Sequence, residues 1–411
     1  MSAPALRFKE FDGDWKSFSL LDLSSDKTLN NGVFNDQNKV GKGYKLINVL
    51  DMYIDRDIDE SRLSLLDLSK QEFERNKVKY GDIFFTRSSL VKEGIAYSNV
   101  YLGSSNDITY DGHLIKLSPN LEQINSIFLN YGLKTSKVRK QLIQGGKTAT
   151  MTTIGQKEIA STKIDVPFLQ EQTKIASFLS AIDEKISQLT QKHQLLSQYK
   201  QGMMQKLFSQ QIRFKADDGS EFEGWEETIF EKIGVFLKGK GISKADIVPD
   251  GKIPCIRYGE LYTYYGEVIS KIISSTNIEA KNLVLSKAND ILIPASGETQ
   301  IDIATASCVL QDNIALSGDL NIFRTKENGI FLSYLIRSKL KMQIAQLAQG
   351  NSVVHLYASQ LKGVSFSLPC LEEQTKIANF LSAIDQKIEV VAQQIEQAKQ
   401  WKKGVLQQMF V

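Results

Sequence analysis

The chain repeats itself. Residues 167–186 read PFLQEQTKIASFLSAIDEKI and residues 369–388 read PCLEEQTKIANFLSAIDQKI, identical at 16 of 20 positions at an offset of 202. Identity this dense, without a gap, marks two copies of one unit, so the fold is something built twice. The match runs on more weakly to residues 207–209 and 409–411. Shorter pairs keep the same order: RFK at 7–9 with Trp15 and RFK at 213–215 with Trp225, 44–53 with 253–262, 81–89 with 289–297, 127–133 with 330–336, and Gln144-Gly145 with Gln349-Gly350. Between these anchors the halves diverge. Each copy is thus a variable domain, 1–165 or 210–367, followed by a near-constant segment, 166–209 or 368–411. That layout suggests that the constant segments set geometry while the variable domains carry specificity.

The constant segments read as helices. Apolar residues recur at Ile175, Leu179, Ile182, Ile186, Leu189 and Leu196, with His193 in the remaining slot, and at Ile377, Leu381, Ile384, Ile388, Val391, Ile395 and Ala398. Spacings that alternate four and three are the seam of a coiled coil. Pro167 and Pro369 stand just before, where a helix tolerates proline. Such a stripe must be covered, and the other copy is the obvious partner. The variable domains read as mixed α/β, with short β-rich runs at 82–86 and 290–293 and one helical stretch each, about 123–143 and 328–348. The expected class is α+β: two mixed α/β domains in pseudo-twofold arrangement, separated by an antiparallel coiled coil.

Composition excludes several classes. Of 411 residues, 42% are hydrophobic and 24% charged, a balance that suits folded domains rather than a disordered or fibrous chain. No apolar run reaches the roughly 18 residues of a membrane span, and a start already charged at Arg7 is not a secretory signal. Cys255, Cys308 and Cys370 are odd in number and far apart, which fits a reducing cytoplasm. The net charge of +3 decides nothing, so any nucleic-acid surface must lie in a local patch.

Residues 123–157 contain no Asp or Glu but carry Lys134, Lys137, Arg139, Lys140, Lys147 and Lys157; residues 328–371 also lack acids and carry Arg337, Lys339, Lys341 and Lys362. Phosphates favour such depletion, because each nearby carboxylate repels them. A solvated helix face is the plain alternative, and its occurrence in both copies favours binding. GKGYK (41–45) and KGKGISK (238–244) add Lys42, Lys238 and Lys240 beside glycines that let a backbone approach phosphate. Base-reading candidates are Arg87, Lys147, Thr148 and Thr150 in the first copy, with Thr152 and Thr153 beyond, and Asn351, Ser352, His355 and Tyr357 in the second.

Catalytic chemistry is thin. No two of the seven prolines are adjacent, so an Asn-Pro-Pro-Tyr methyltransferase motif is impossible. Gly146-Lys147-Thr148 imitates a P-loop end, but Gln141 stands where its first glycine belongs. Pro249-Asp250 with Glu279-Ala280-Lys281 resembles a metal-dependent nuclease pattern, a degenerate one absent from the first copy. His113, His193 and His355 have no zinc-ligand spacing, and no metal site is expected.

Two variable domains, each followed by a near-identical helix with an EEQTKIANFLSAID-type start, resemble the specificity subunit of type I restriction–modification enzymes. The resemblance spans essentially the whole chain, most specifically 167–186 and 369–388; the lead-in to the second domain has four extra residues. It implies a non-catalytic, cytoplasmic, DNA-recognition subunit without cofactor. Each domain would read one half of a split double-stranded DNA target, and the helices would set the spacer. Two modification subunits would carry S-adenosylmethionine and methylate adenine, while restriction subunits would add ATP- and Mg-dependent translocation and cleavage. Large matched residues beyond the seam, Tyr199 with Trp401, Met204 with Leu406 and Phe208 with Phe410, are expected to dock the modification subunits. A nuclease using Asp250 and Glu279, or a coiled-coil scaffold without nucleic acid, are the alternatives.

Overall fold

A computed structural model describes all residues except 1–3, 55, 351, 352 and 411. The constant segments form helices of 40 residues (Leu169–Phe208) and 39 residues (Leu371–Met409). At a rise of about 1.5 Å per residue the first is roughly 60 Å long. The chain divides into two compact units, Met1–Thr190 with Gln393–Val411, and Gln191–Ala392. Each long helix therefore starts in one unit and ends in the other. In unit 1 Lys402 bonds Asp183; in unit 2 Lys200 bonds Asp385. As one number rises the other falls, so the helices run antiparallel.

In unit 1 a four-stranded antiparallel sheet runs in the order Ser24–Asn31, Leu114–Pro119, Ile83–Thr86, Ser98–Val100, beside a three-stranded sheet of Ser64–Leu66, Val40–Ile47 and Ile108–Tyr110. Unit 2 places Gly234–Lys238, Leu320–Thr325, Ile291–Pro294, Ser307–Val309 and Val268–Ile269 in one sheet, and Ser274–Thr276, Ile253–Ile256, Ala315–Leu316 and Val284–Leu285 in another. The central strands Ile83–Thr86 and Ile291–Pro294 are buried along their whole length, as β-branched and aromatic runs covered on both faces should be. Asp82 and Asp290, one residue earlier, each accept the main-chain N–H three residues back, at 2.8 Å, and so fix the turn into the strand. Lys116 and Arg324 offset their buried charges.

The single helical stretch expected in each domain is two helices. Ser126–Leu133 gives way to Ser136–Gly145, and Gly329–Arg337 to Lys341–Leu347. At each break a hydroxyl donates to a carbonyl of the turn before it, Thr135 to Gly132 at 2.7 Å and Ser338 to Tyr334 at 2.6 Å. Side chains that bond the backbone locally compete with the helix.

The first half of each seam is buried in its own unit's core. Ile175, Leu179 and Ile182 join Trp15, Phe128 and Leu129 in one cluster, together with Val405, Leu406, Met409 and Phe410 from the far end of the second helix. In unit 2 Ile377, Leu381 and Ile384 join Phe331 and Leu332, together with Leu207 and Phe208 from the far end of the first. The aromatic contacts repeat: Trp15 and Phe410 against Phe128, Trp225 and Phe208 against Phe331. Each domain is thus closed by the end of the other copy's helix.

The repeated sequence has a local explanation. Arg7 donates two hydrogen bonds of 2.8 Å to Glu171, which is fully buried, and Arg213 holds Glu373 at 3.1 and 2.7 Å. The next residues, Gln172 and Gln374, accept from the main chain of Asn125 and Asn328 and donate to the carbonyls of Pro167 and Pro369. The RFK lead-in and the EQ of the helix start are two sides of one joint.

Cys255 and Cys308 are buried and Cys370 is exposed. Burial pushes the Cys255 thiol up to about 11 and the Cys308 thiol up to about 12. Because thiolate is the reactive form, a disulfide reagent at pH 8 is expected to titrate one thiol in the folded chain and three after denaturation. Fast reaction of a second thiol without denaturant would contradict this burial.

Candidate nucleic-acid interface

In each unit the polar loop lies against the C-terminal end of the central strand. In unit 1 the hairpin Lys147–Thr148 and Thr152–Thr153 pairs with Ser88–Ser89, Thr153 opposite Ser88. In unit 2 His355 pairs with Ser296 and with Gln349. Main-chain bonds of 3.0 Å, Ile154 to Arg87 and Leu356 to Ala295, secure each loop. The register makes Gln349 the counterpart of Lys147, at an offset of 202. The Gln-Gly match of 144–145 with 349–350 is off by three residues.

Of the base-reading candidates, Arg87, Lys147, Thr148, Thr150, His355 and Tyr357 are exposed, and Asn351 and Ser352 lie outside the described residues. Thr148 bonds Thr152 across the hairpin, and the rings of His355 and Tyr357 stack 6.2 Å apart. The Arg87 side chain is exposed and makes no hydrogen bond or ion pair with any described residue.

The phosphate candidates divide. Lys140, Lys238, Lys240 and Lys339 are exposed, and Lys341 is half-buried. Lys42 pairs with Asp67 at 3.0 Å, Lys137 with Asp165 at 2.6 Å and Lys147 with Glu158 at 3.7 Å. Lys134 lines a cavity of about 250 Å³ with Asp57, Tyr131 and Asp183. The Arg139 and Arg337 guanidinium groups are engaged within the fold. Arg139 donates to the carbonyls of Glu93, Ile95 and Ala96, and Arg337 to those of Leu261, Tyr265 and Ala306. Both lose hydration by burial, which lowers their pKa values from the ordinary arginine range. The stretches free of acids in sequence are not free of them in space.

The glycines of the Lys-Gly segments serve the fold. A side chain at Gly239 would stand 1.9 Å from the Ser317 carbonyl, and Gly43, at φ +93°, would meet the Leu66 carbonyl at 2.5 Å. The two segments are not counterparts: Gly239 matches Gly32, where an added side chain would likewise collide with a carbonyl, that of Tyr110.

Four of the expected docking residues are covered by their own units. Phe208 and Phe410 are buried, Leu406 sits in the unit 1 core, and Met204 packs on that of unit 2. A core short of one aromatic captures the other copy's helix end, an outcome that seam spacing does not encode. Tyr199 and Trp401 stay 51% and 54% exposed, with Phe178 edge-on to Trp401 at 6.0 Å. Below them Asp183 binds Lys402 and Tyr131, and Asp385 binds Lys200 and Tyr334; burial and the adjacent carboxylate push both phenols above their usual range.

Among the described residues no group of three or more His, Cys, Asp or Glu could hold a metal ion, and no helix is long and apolar enough to cross a membrane. Asp250 is exposed, and Glu279 pairs with Lys281.

A family profile described as the type I restriction modification DNA specificity domain matches residues 13–198 and 223–400. A protein of Methanocaldococcus jannaschii assigned as the type I restriction enzyme MjaX specificity subunit is 27% identical over 406 residues, covering 97% of this chain and 93% of that protein. The type I restriction enzyme MjaVIII specificity subunit of the same organism is 25% identical over 336 residues, covering 77% and 76%. The crystal structure of the S subunit of a type I system from M. genitalium superposes with a TM-score of 0.59 at 15% identity, over 100% of this chain and 99% of that one. The profile covers both repeats and the relatives span both, so the chain belongs to the type I restriction modification DNA specificity family.

Proposed function

We propose that each domain reads one half of a bipartite double-stranded DNA target and that the two long helices fix the gap between the halves. One observation carries the reading. In both units an exposed polar loop is bonded to the C-terminal end of the central strand by equivalent main-chain contacts, while the side chains displayed there differ. That is a fixed frame with exchangeable readers. The chain itself is non-catalytic and cytoplasmic. Two modification subunits supply S-adenosylmethionine chemistry on adenine, and restriction subunits supply ATP- and Mg-dependent cleavage. Tyr199 and Trp401, half-exposed on the helices, are the remaining candidates for docking the modification subunits.

Methylome mapping in a host carrying this chain and its partners tests the reading. The wild type is expected to give one bipartite motif. Inserting four residues after Gln191 lengthens the helix by about 6 Å, close to one turn, so the gap should grow by one or two base pairs with both half-sites unchanged. Inserting two residues rotates the seam by about 200° and should abolish modification. A four-residue variant that modifies DNA with the original gap would show that the helices do not measure it.

A further inference from the structure

The most informative difference between the two units lies beside the loops, at the turn that leads into the strand next to the central one. In unit 1 the Arg87 N–H donates to the His113 carbonyl at 2.9 Å; in unit 2 the Ala295 N–H donates to the Asp319 carbonyl at 2.9 Å. The sheet registers agree, Thr86 facing Leu114 and Pro294 facing Leu320. Positions 87 and 113 therefore correspond to 295 and 319, and Asp111 corresponds to Ser317. The frame is the same and the chemistry is not.

In unit 1 the His113 side chain is 66% exposed, with Nδ1 2.8 Å from Asp111 Oδ1. Asp111 is buried and also accepts from the His113 N–H at 2.7 Å and from Asn35 at 3.0 Å. A carboxylate only accepts, so Nδ1 carries the hydrogen, and in the neutral ring Nε2 is left as an acceptor. In unit 2 Asp319 is exposed, and its carboxylate has no hydrogen bond or ion pair with any described residue. Lys238 and Lys240 flank it: Gly239 bonds the Leu320 carbonyl and Lys240 N–H the Leu316 carbonyl, both at 3.0 Å. An unpaired carboxylate between two exposed lysines is poorly placed for a phosphate and well placed for a base amino group framed by phosphates.

We infer that these strand-end positions are specificity determinants: 113 and 319 present an acceptor to an exocyclic base amino group, and Arg87 adds a donor pair for guanine in the first half-site, where the second has Ala295. Asp accepts from cytosine N4, and Arg pairs with guanine O6 and N7. The inference rests on the proposed reading of DNA half-sites.

The test is quantitative methylation of a randomised-site plasmid library by the full complex carrying Arg87→Ala, His113→Ala, Asp319→Ala or Asp319→Asn. Each change is expected to relax one base position in one half-site by roughly 5- to 150-fold in discrimination, leaving the other half-site as an internal control of folding and assembly. Asp319→Asn should move that position from cytosine towards adenine, because the amide both donates and accepts. Unchanged discrimination in all four variants overturns the inference while the wild-type motif leaves the half-site reading intact. A uniform loss on all sequences also overturns it, since it assigns these residues to the phosphates. A wild type without a bipartite motif refutes the underlying reading instead.

Discussion

Glu373→Ala is expected to destabilise unit 2 by about 3–5 kcal/mol, the cost of removing one partner from a buried ion pair. Glu373 is fully buried and accepts from Arg213 twice and from the Trp225 indole N–H at 3.1 Å. Its loss strands a largely covered guanidinium and an indole donor together. In unit 1 Glu171 holds Arg7 alike, but the buried Trp15 indole nitrogen has no hydrogen-bond partner among the described residues. Glu171→Ala should therefore cost less, by about the 1 kcal/mol of one hydrogen bond. Trp225 is the one tryptophan of unit 2, so replacing Trp15 and Trp401 by Phe leaves a reporter of that unit. Denaturant unfolding followed by its fluorescence gives the loss directly. A midpoint unmoved by Glu373→Ala would mean that the joint does not hold the unit together. Replacing Arg213 and Glu373 jointly by Met and Leu should restore much of the stability, because a well-packed apolar pair removes both buried charges.

The second large effect concerns residues 1–209 expressed alone. Unit 1 is closed by Val405, Leu406, Met409 and Phe410 and by the bond of Lys402 to Asp183. Truncation removes all of these and bares the face of Trp15 and Phe128, whose aromatic partner Phe410 is gone. The same fragment carries Met203, Met204, Leu207, Phe208 and Lys200 at the equivalent positions of its own helix end. In unit 2 Met204, Leu207 and Phe208 already pack on the core that holds Trp225 and Phe331, and Lys200 bonds Asp385. The fragment is expected to form a dimer in which each copy closes the other, since an exposed aromatic face of this kind is costly. Sedimentation checks this, and Phe208→Asp should give monomer or aggregate. A well-folded monomer of 1–209 would show that the far helix end is dispensable.

The repeat and the long helices were legible because they are written locally. A seam period needs no partner to be recognised, and an identity of 16 in 20 needs no structure. What covers the seam was not legible. Ile175 and Leu179 are apolar whether they meet a helix or a sheet, and Phe410 gives no sign that Trp15 and Phe128 await it. The basic stretches misled for a similar reason. Asp165 and Glu158 reach Lys137 and Lys147 through folding, and Arg139 and Arg337 are spent on carbonyls that no pattern marks. The equivalence of the loops was obscured by a chance Gln-Gly match, and strand register corrected it. His113 carries no signal in the sequence beyond its lack of zinc-ligand spacing; the fold makes it a candidate reader by setting its carbonyl on the Arg87 N–H.

The exchange of helix ends also orders events in time. Unit 2 is one continuous stretch, residues 191–392, and can close as soon as that stretch has left the ribosome. Unit 1 cannot. Its first strands are made early, yet its core needs residues 393–411, and the Leu6 N–H bonds the Gln408 carbonyl at 2.9 Å across almost the whole chain. Contacts so distant in sequence form slowly, because the loop between them must first be ordered. During the wait the newly made end of the first helix, with Phe208, is a ready but wrong lid for the Trp15 face. Completion of unit 2 removes that competitor by burying Phe208 against Phe331. The later-made unit thus acts as the timer for the earlier one, and a chain whose second domain folds slowly should lose its first to misassembly before either has met DNA.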